Sequence, residues 1–247
     1  MAGRRRNLAI PELFLGLLAI GVAVVVTARI FANTIHDARH IRDTISVTGS
    51  ARKPISSDLV RWSVSVSTEG PRAAPAARRL RHEAAEVRAF LERQGIRAAA
   101  VEPSVVTSEK QVEPLPHHRR RISYRVSQQL DVSTRKIDVV ERASTGIVGL
   151  LERGISVYAE PLEYISTELT QAKLDALAAA TEDARRRAEI LVDGLGGKLG
   201  PMRSTSLGVY QITPRDSTDV SDYGINDTSS REKDVNAVVT ATFAVKR

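Results

Sequence analysis

Hydrophobic and polar positions along the chain follow two periods. Residues 59–68 place Val60, Trp62, Val64 and Val66 on one face of a strand and Arg61, Ser63, Ser65 and Ser67 on the other, the alternation a pleated strand imposes. The polar reverse face predicts a sheet wetted on one side and therefore antiparallel. Residues 44–49 repeat the alternation with Ile45 and Val47. Residues 71–94 change period: Ala77, Leu80, Ala84, Val87 and Leu91 recur at spacings of three and four, and Gly95 follows as a C-terminal stop, which predicts an amphipathic helix. A second helix is predicted over 134–153, opened by Ser133 and closed by Gly154. A third follows the stripe Leu174, Leu177, Thr181, Ala184, Ala188, Leu191 and Leu195, closed by Gly194, Gly196 and Gly197. The middle of that stripe is small, so the helix is expected to approach its partner closely.

Strands are predicted between and after the helices at 101–112, 122–132, 155–165, 203–211 and 235–245. The first two are expected to pair across a proline-flanked loop. Together these elements predict an α+β class: antiparallel sheet elements with three main helices. Between the last two strands, residues 212–234 are rich in Ser, Thr and Asp, and they predict an unusually long irregular connection.

The N-terminus follows a different rule. Arg4, Arg5 and Arg6 precede an uncharged run of 16 residues, 13–28. Such a run covers roughly 24 Å as a helix, and flanking apolar residues lengthen it. The predicted organisation is a cytoplasmic tail (1–8), one transmembrane helix (9–32), a polar spacer (33–43) and a domain outside the cytoplasm (44–247). The arginine cluster favours an N-terminus inside. A cleaved signal peptide ending near Ala28 is the alternative, although the apolar run is long for one. On either reading the location is the bacterial inner membrane or the space beyond it, and the lipid bilayer is a partner of the anchored form.

Composition then narrows the chemistry. Cysteine is absent, which excludes disulfides, thiolate catalysis and direct thiol scavenging of oxidants. The chain of 247 residues carries 36 basic and 29 acidic groups, a net charge of +7. Of that charge, +3 belongs to residues 1–32, leaving +4 on the rest. The remainder is charged like an ordinary globular domain, and nucleic acid is not expected as a partner.

Two clusters stand out as candidate sites. His117, His118, Arg119, Arg120 and Arg121 form a basic patch suited to a phosphate headgroup, an anionic glycan or an acidic neighbouring subunit. The competing reading is a solvated loop tip. Within 212–234, Val220, Tyr223 and Ile225 form an apolar group in a polar segment. They are expected either to bury against a neighbouring subunit or to ride on a mobile surface loop. Catalytic residues, cofactors and metals are not expected. His36 and His40 sit four apart without an accompanying carboxylate motif, and the Asp spacing in 216–234 does not fit a calcium loop.

Two sequence stretches carry a family resemblance. Residues 44–50 (TISVTGS) resemble the opening strand of the SIMPL domain, also called the domain of unknown function 541. Residues 180–200 (ATEDARRRAEILVDGLGGKLG) resemble its long helix and following turn. The resemblance implies an α+β fold, a bacterial envelope setting and large ring-like homo-oligomers. Relatives of this kind include a periplasmic immunogenic protein and an oxidative-stress defence protein, so a scaffold or stress-related role is expected. It implies no catalytic residue. An alternative remains open: an envelope enzyme or anionic-ligand-binding protein whose site forms between subunits. Two departures from the family pattern are the anchor-like N-terminus and the longer 212–234 segment.

Overall fold

The computed structural model describes residues 21, 24, 27–29, 43–116 and 119–246. The predicted membrane span and spacer therefore lie outside the described residues, apart from 21, 24 and 27–29, which are helical, and Asp43. Among the described residues no helix is long and apolar enough to cross a membrane. The described chain forms two compact units, and their boundaries fall within three secondary-structure elements. One unit is built from Ser50–Ala180 and Gly208–Val238; the other comprises Thr181–Leu207, Val239–Arg247 and the chain up to Gly49.

The larger unit contains a six-stranded antiparallel sheet. Its strands are β2 (Leu59–Gly70), β3 (Val101–Pro103), β4 (Thr107–Leu115), β5 (Arg119–Thr134), β6 (Val157–Ala159) and β7 (Glu163–Ile165). β2 and β5 are the central pair, in register from Val60 opposite Thr134 to Gly70 opposite Tyr124. β3 and β4 follow one another along the free edge of β5, and β6 and β7 do so along the free edge of β2. The alternation of β2 works as expected: Val60, Trp62, Val64 and Val66 are buried, and the serines between them face the wetter side. Helix α1 (Ala73–Arg93) covers the apolar face with Ala76, Leu80, Ala84, Val87, Phe90 and Leu91. Ala76 takes the fully buried place expected for Ala77, which is half-buried.

Three predicted elements are broken, each for a local reason. The strand expected over 101–112 divides after Pro103, where the Ser104 amide donates to Gln129 O and the Ser104 hydroxyl accepts from the Gln129 amide. The strand expected over 155–165 divides at Pro161, which has no amide to donate. The helix expected over 134–153 starts later and splits into α2 (Ile137–Gly146) and α3 (Val148–Glu152). Ser133 and Thr134 are not its cap, because they continue β5 opposite Arg61 and Val60. The split falls at Ile147, which accepts a tight i→i+3 bond from the Leu150 amide beside the poor helix former Gly146.

The second sheet comprises β1 (Thr44–Ser56), β8 (Lys198–Leu207), β9 (Gln211–Pro214), β10 (Ile225–Asn226) and β11 (Glu232–Lys246). In the larger unit, Arg52 meets Asn236 and Ser56 meets Glu232. In the smaller, Thr48 meets Thr240 and Ser46 meets Thr242. The numbers run in opposite directions, so β1 is antiparallel to β11. β8 pairs with the Val239–Lys246 portion of β11 across a bulge, and Gly200 lies so close that an added Cβ would sit 2.9 Å from the Ala244 carbonyl oxygen.

The long helix α4 (Leu169–Gly194) buries Ala172, Ala176, Ala180, Ala184, Ala188 and Val192, a strict spacing of four. The small centre of the predicted stripe is correct, but its leucines are not: Leu174, Leu191 and Leu195 face solvent. In the smaller unit, Ala184 and Ala188 pack against Val47, Ala241 and Phe243. Replacing Ala188 by Leu is expected to cost about 1–3 kcal/mol through overpacking, read as a lower denaturation midpoint at an unchanged slope. An unchanged midpoint would show that the contact is slack.

Candidate functional site

The three arginines of the basic patch stand on a strand. Arg119, Arg120 and Arg121 open β5, in register with Leu115, Pro114 and Glu113 of β4. His117 and His118 lie outside the described residues. Because β2 ends opposite Tyr124, the first five residues of β5 pair with β4 alone. The result is a two-stranded arm that continues the sheet. Val112 stands opposite Ile122 on it, and both are exposed. They have the same strand parity as the buried Val126, Leu130 and Val132, so the arm carries the core face past the core. Arg121 reaches Glu113 at 3.4 Å, a solvent-exposed pair, while Arg120 is exposed. At the base of the arm, Glu69 accepts from the Ser123 hydroxyl at 2.6 Å and lies 3.5 Å from Arg125. The Ser123 hydrogen bond, helped by the Arg125 charge, outweighs desolvation and lowers the Glu69 pKa.

The 212–234 segment is not a structureless connection. Its first residues belong to β9, its last to β11, and Ile225 lies in β10 parallel to Gln211. Both roots of the loop between them are fixed. The Gln211 side-chain amide donates to Ser221 O at 2.7 Å, and Gly224, with φ of 83°, brings its Cα close to the Tyr210 carbonyl. At the other root the Arg215 amide donates to Glu232 O at 3.1 Å and the Asp216 amide to the Asp234 carboxylate at 3.2 Å. The Lys233 ammonium, 3% exposed, donates to the Tyr164 carbonyl oxygen and, just past β10, to that of Asp227, each at 2.6 Å. Desolvation holds Lys233 below its usual pKa, against the pull of the Asp227 carboxylate. Arg231 bonds Asp138 at 2.6 Å, and the Tyr164 hydroxyl donates to Glu141 at 3.0 Å. Between these roots, Val220 is 83% and Tyr223 97% exposed. Ile225 is half-buried, so the expected apolar trio separates into two presented residues and one anchor.

A groove of about 450 Å³ lies elsewhere in the same unit, lined by residues including Arg61, Trp62, Glu102, Asp131, Glu160 and Glu163. Part of its lining is paired: Ser63 donates to Asp131 at 2.6 Å, as does Gln129 at 2.7 Å, and the Trp62 indole donates to Glu160 O at 3.0 Å. Among the described residues no three acidic or imidazole groups converge as metal ligands.

Lys233 was missed from the sequence, and a signal for it existed. It shares parity with Val235, Ala237, Val239, Ala241 and Phe243, all buried. Starting the last strand three residues earlier would have placed a lysine on the apolar face.

A family model, "SIMPL: Protein of unknown function (DUF541)", matches residues 45–243, and the chain belongs to this family. No curated protein matches the chain. Among solved structures, similarity is found to an amidase of the hydantoinase/carbamoylase family from Burkholderia vietnamiensis, at 19% identity and TM-score 0.23, over 45% of this chain and 27% of that one. A second amidase of that family, from Burkholderia phymatum, gives 13% identity and TM-score 0.25, over 54% and 37%. The regulatory subunit of aspartate kinase from Thermus thermophilus gives 14% identity and TM-score 0.20, over 78% and 88%. The chain thus spans about a third of the amidases' length, and at these scores none of the likenesses carries an argument.

The roots of the loop generate two expectations. Lys233→Met removes the donor to two part-buried carbonyls and should destabilise the protein by about 1–3 kcal/mol. Hydrogen exchange of the Tyr164 amide, which donates to Thr228 O at 2.7 Å, should quicken with it; unchanged exchange would mean that this segment is held without the ammonium. Asp58 accepts from the Thr167 hydroxyl at 2.6 Å and amide at 2.7 Å, and these bonds lower its pKa. Its stabilisation is therefore complete above the ordinary aspartate value of about 4 and fades as pH falls through the lowered one. Asp58→Asn should flatten that acid limb of a stability–pH curve; an identical limb would assign it to other carboxylates.

Proposed function

We propose that this SIMPL-family chain is a membrane-anchored, non-enzymatic protein of the bacterial envelope that assembles with copies of itself, its larger part lying outside the cytoplasm. One observation carries the assembly reading. Val220 and Tyr223 stand in water on a loop whose two roots are fixed. Apolar side chains held in solvent by a rigid frame mark an interaction surface. The exposed Val112–Ile122 pair on the arm supports the same reading. The anchor rests on the uncharged run of residues 13–28 behind Arg4, Arg5 and Arg6. A scaffold or stress-related role in the envelope follows from the family resemblance.

Light scattering of the detergent-extracted protein should give a particle several times the 26.9 kDa chain mass, after correction for bound detergent. A single-chain mass would refute assembly. Protease added to intact spheroplasts should digest the domain that begins near Thr44. Digestion only after lysis would reverse the topology.

A further inference from the structure

The arm and the loop complement one another in charge. Residues 119–122 contain three arginines and no acid; residues 216–224 contain three aspartates and no base. Each charge group adjoins an exposed apolar pair, Val112 with Ile122 on the arm and Val220 with Tyr223 on the loop. Among the described residues, Arg120, Asp219 and Asp222 form no ion pair. Arg121 and Glu113 pair on the reverse face of the arm, which leaves Arg120 as the arginine beside the Val112–Ile122 pair.

The two surfaces belong to the same unit but are rooted at opposite ends of β2. The arm begins where Gly70 pairs with Tyr124. The loop is rooted by the Leu59 end, since the Arg215 side chain donates to Ile55 O and its amide to Glu232 O, beside the bond from the Ser57 amide to Arg231 O. β2 has 12 residues, so its ends lie about 36 Å apart at the usual rise of a strand. The arm extends the sheet beyond the Gly70 end. A surface and its complement at opposite ends of one rod-like pair of strands fit a contact between copies. Such a contact is heterologous, and it propagates from one copy to the next until the rotation closes it.

We propose that the β4–β5 arm of one copy docks on the 216–224 loop of the next. Arg120, which shares a face with the Val112–Ile122 pair, meets Asp219 and Asp222, and that pair covers Val220 and Tyr223. The occupant of each surface is a second copy of this chain, met head to tail. This deepens the self-assembly reading and rests on it.

Charge reversal tests the assignment in the full-length, detergent-extracted protein. One variant carries Arg120→Glu; the other combines Asp219→Arg with Asp222→Arg. Each alone sets like charges against each other and should scatter light as a single chain. Mixed in equal amounts, the two present opposite charges at every junction and should regain the parent's mass. Raising the salt should dissociate the mixture and the parent alike, because exposed charges are screened. Either variant alone at the parental mass overturns the proposal. So does a mixture that stays monomeric while both variants keep the parent's circular-dichroism spectrum. If a reversal lowers the melting temperature, Val220→Ser with Tyr223→Ser decides by the same mass: a monomer supports the contact, and the parental mass overturns it. A parent that is itself monomeric refutes self-assembly before any variant is made, so the two failures are distinguishable.

Discussion

The parity of β2 and β5 is the constraint on which the larger unit depends. Buried Val60, Trp62, Val64 and Val66 on one strand and Val126, Leu130 and Val132 on the other present a single apolar face. A slip of one residue would turn every one of these groups into water and every serine into the core. α1 can therefore cover only one side of the sheet, and the other side keeps its hydroxyls and carboxylates solvated. β3, β4, β6 and β7 are short strands added to the two edges of this central ladder.

The same parity explains why the arm is apolar where it leaves the sheet. β5 is 16 residues long and β2 is 12. The alternation that builds the core continues along the longer strand after its neighbour has ended. Ile122 is thus a core-face residue without a core over it, and Val112 is its cross-strand companion. Such a pair is stable as part of a ladder but leaves its outer surface open to a partner.

Much of this was legible in the sequence wherever one period ran uninterrupted. The face of β2, the span of α1 and the small centre of α4 follow directly from spacing. What was not legible depended on pairing at a distance. The break after Pro103 is set by Ser104 bonding Gln129, and the break at Pro161 by an amide that the ladder required. Leu174, Leu191 and Leu195 read as core because leucine prefers burial, whereas the buried row of α4 is a line of alanines that ends at Val192. The 212–234 segment looked structureless because its composition is polar. Its order comes from Lys233 and Gln211 side chains bonding to backbone carbonyls, a feature that hydrophobic patterning cannot display. Of the candidate sites, the residues at 119–121 and 220–223 were visible as clusters, but their placement at opposite ends of a strand was not.

The buried ammonium of Lys233 bears on association as well as on folding. A loop that is free in the monomer must surrender its conformational freedom when it meets a partner, and that loss weakens binding. Here both roots are bonded before any partner arrives. The entropy of ordering is lost once, when the chain folds, so Tyr223 meets whatever it meets as a preorganised group. A lysine that touches no partner can in this way strengthen an interface, chiefly by slowing its dissociation.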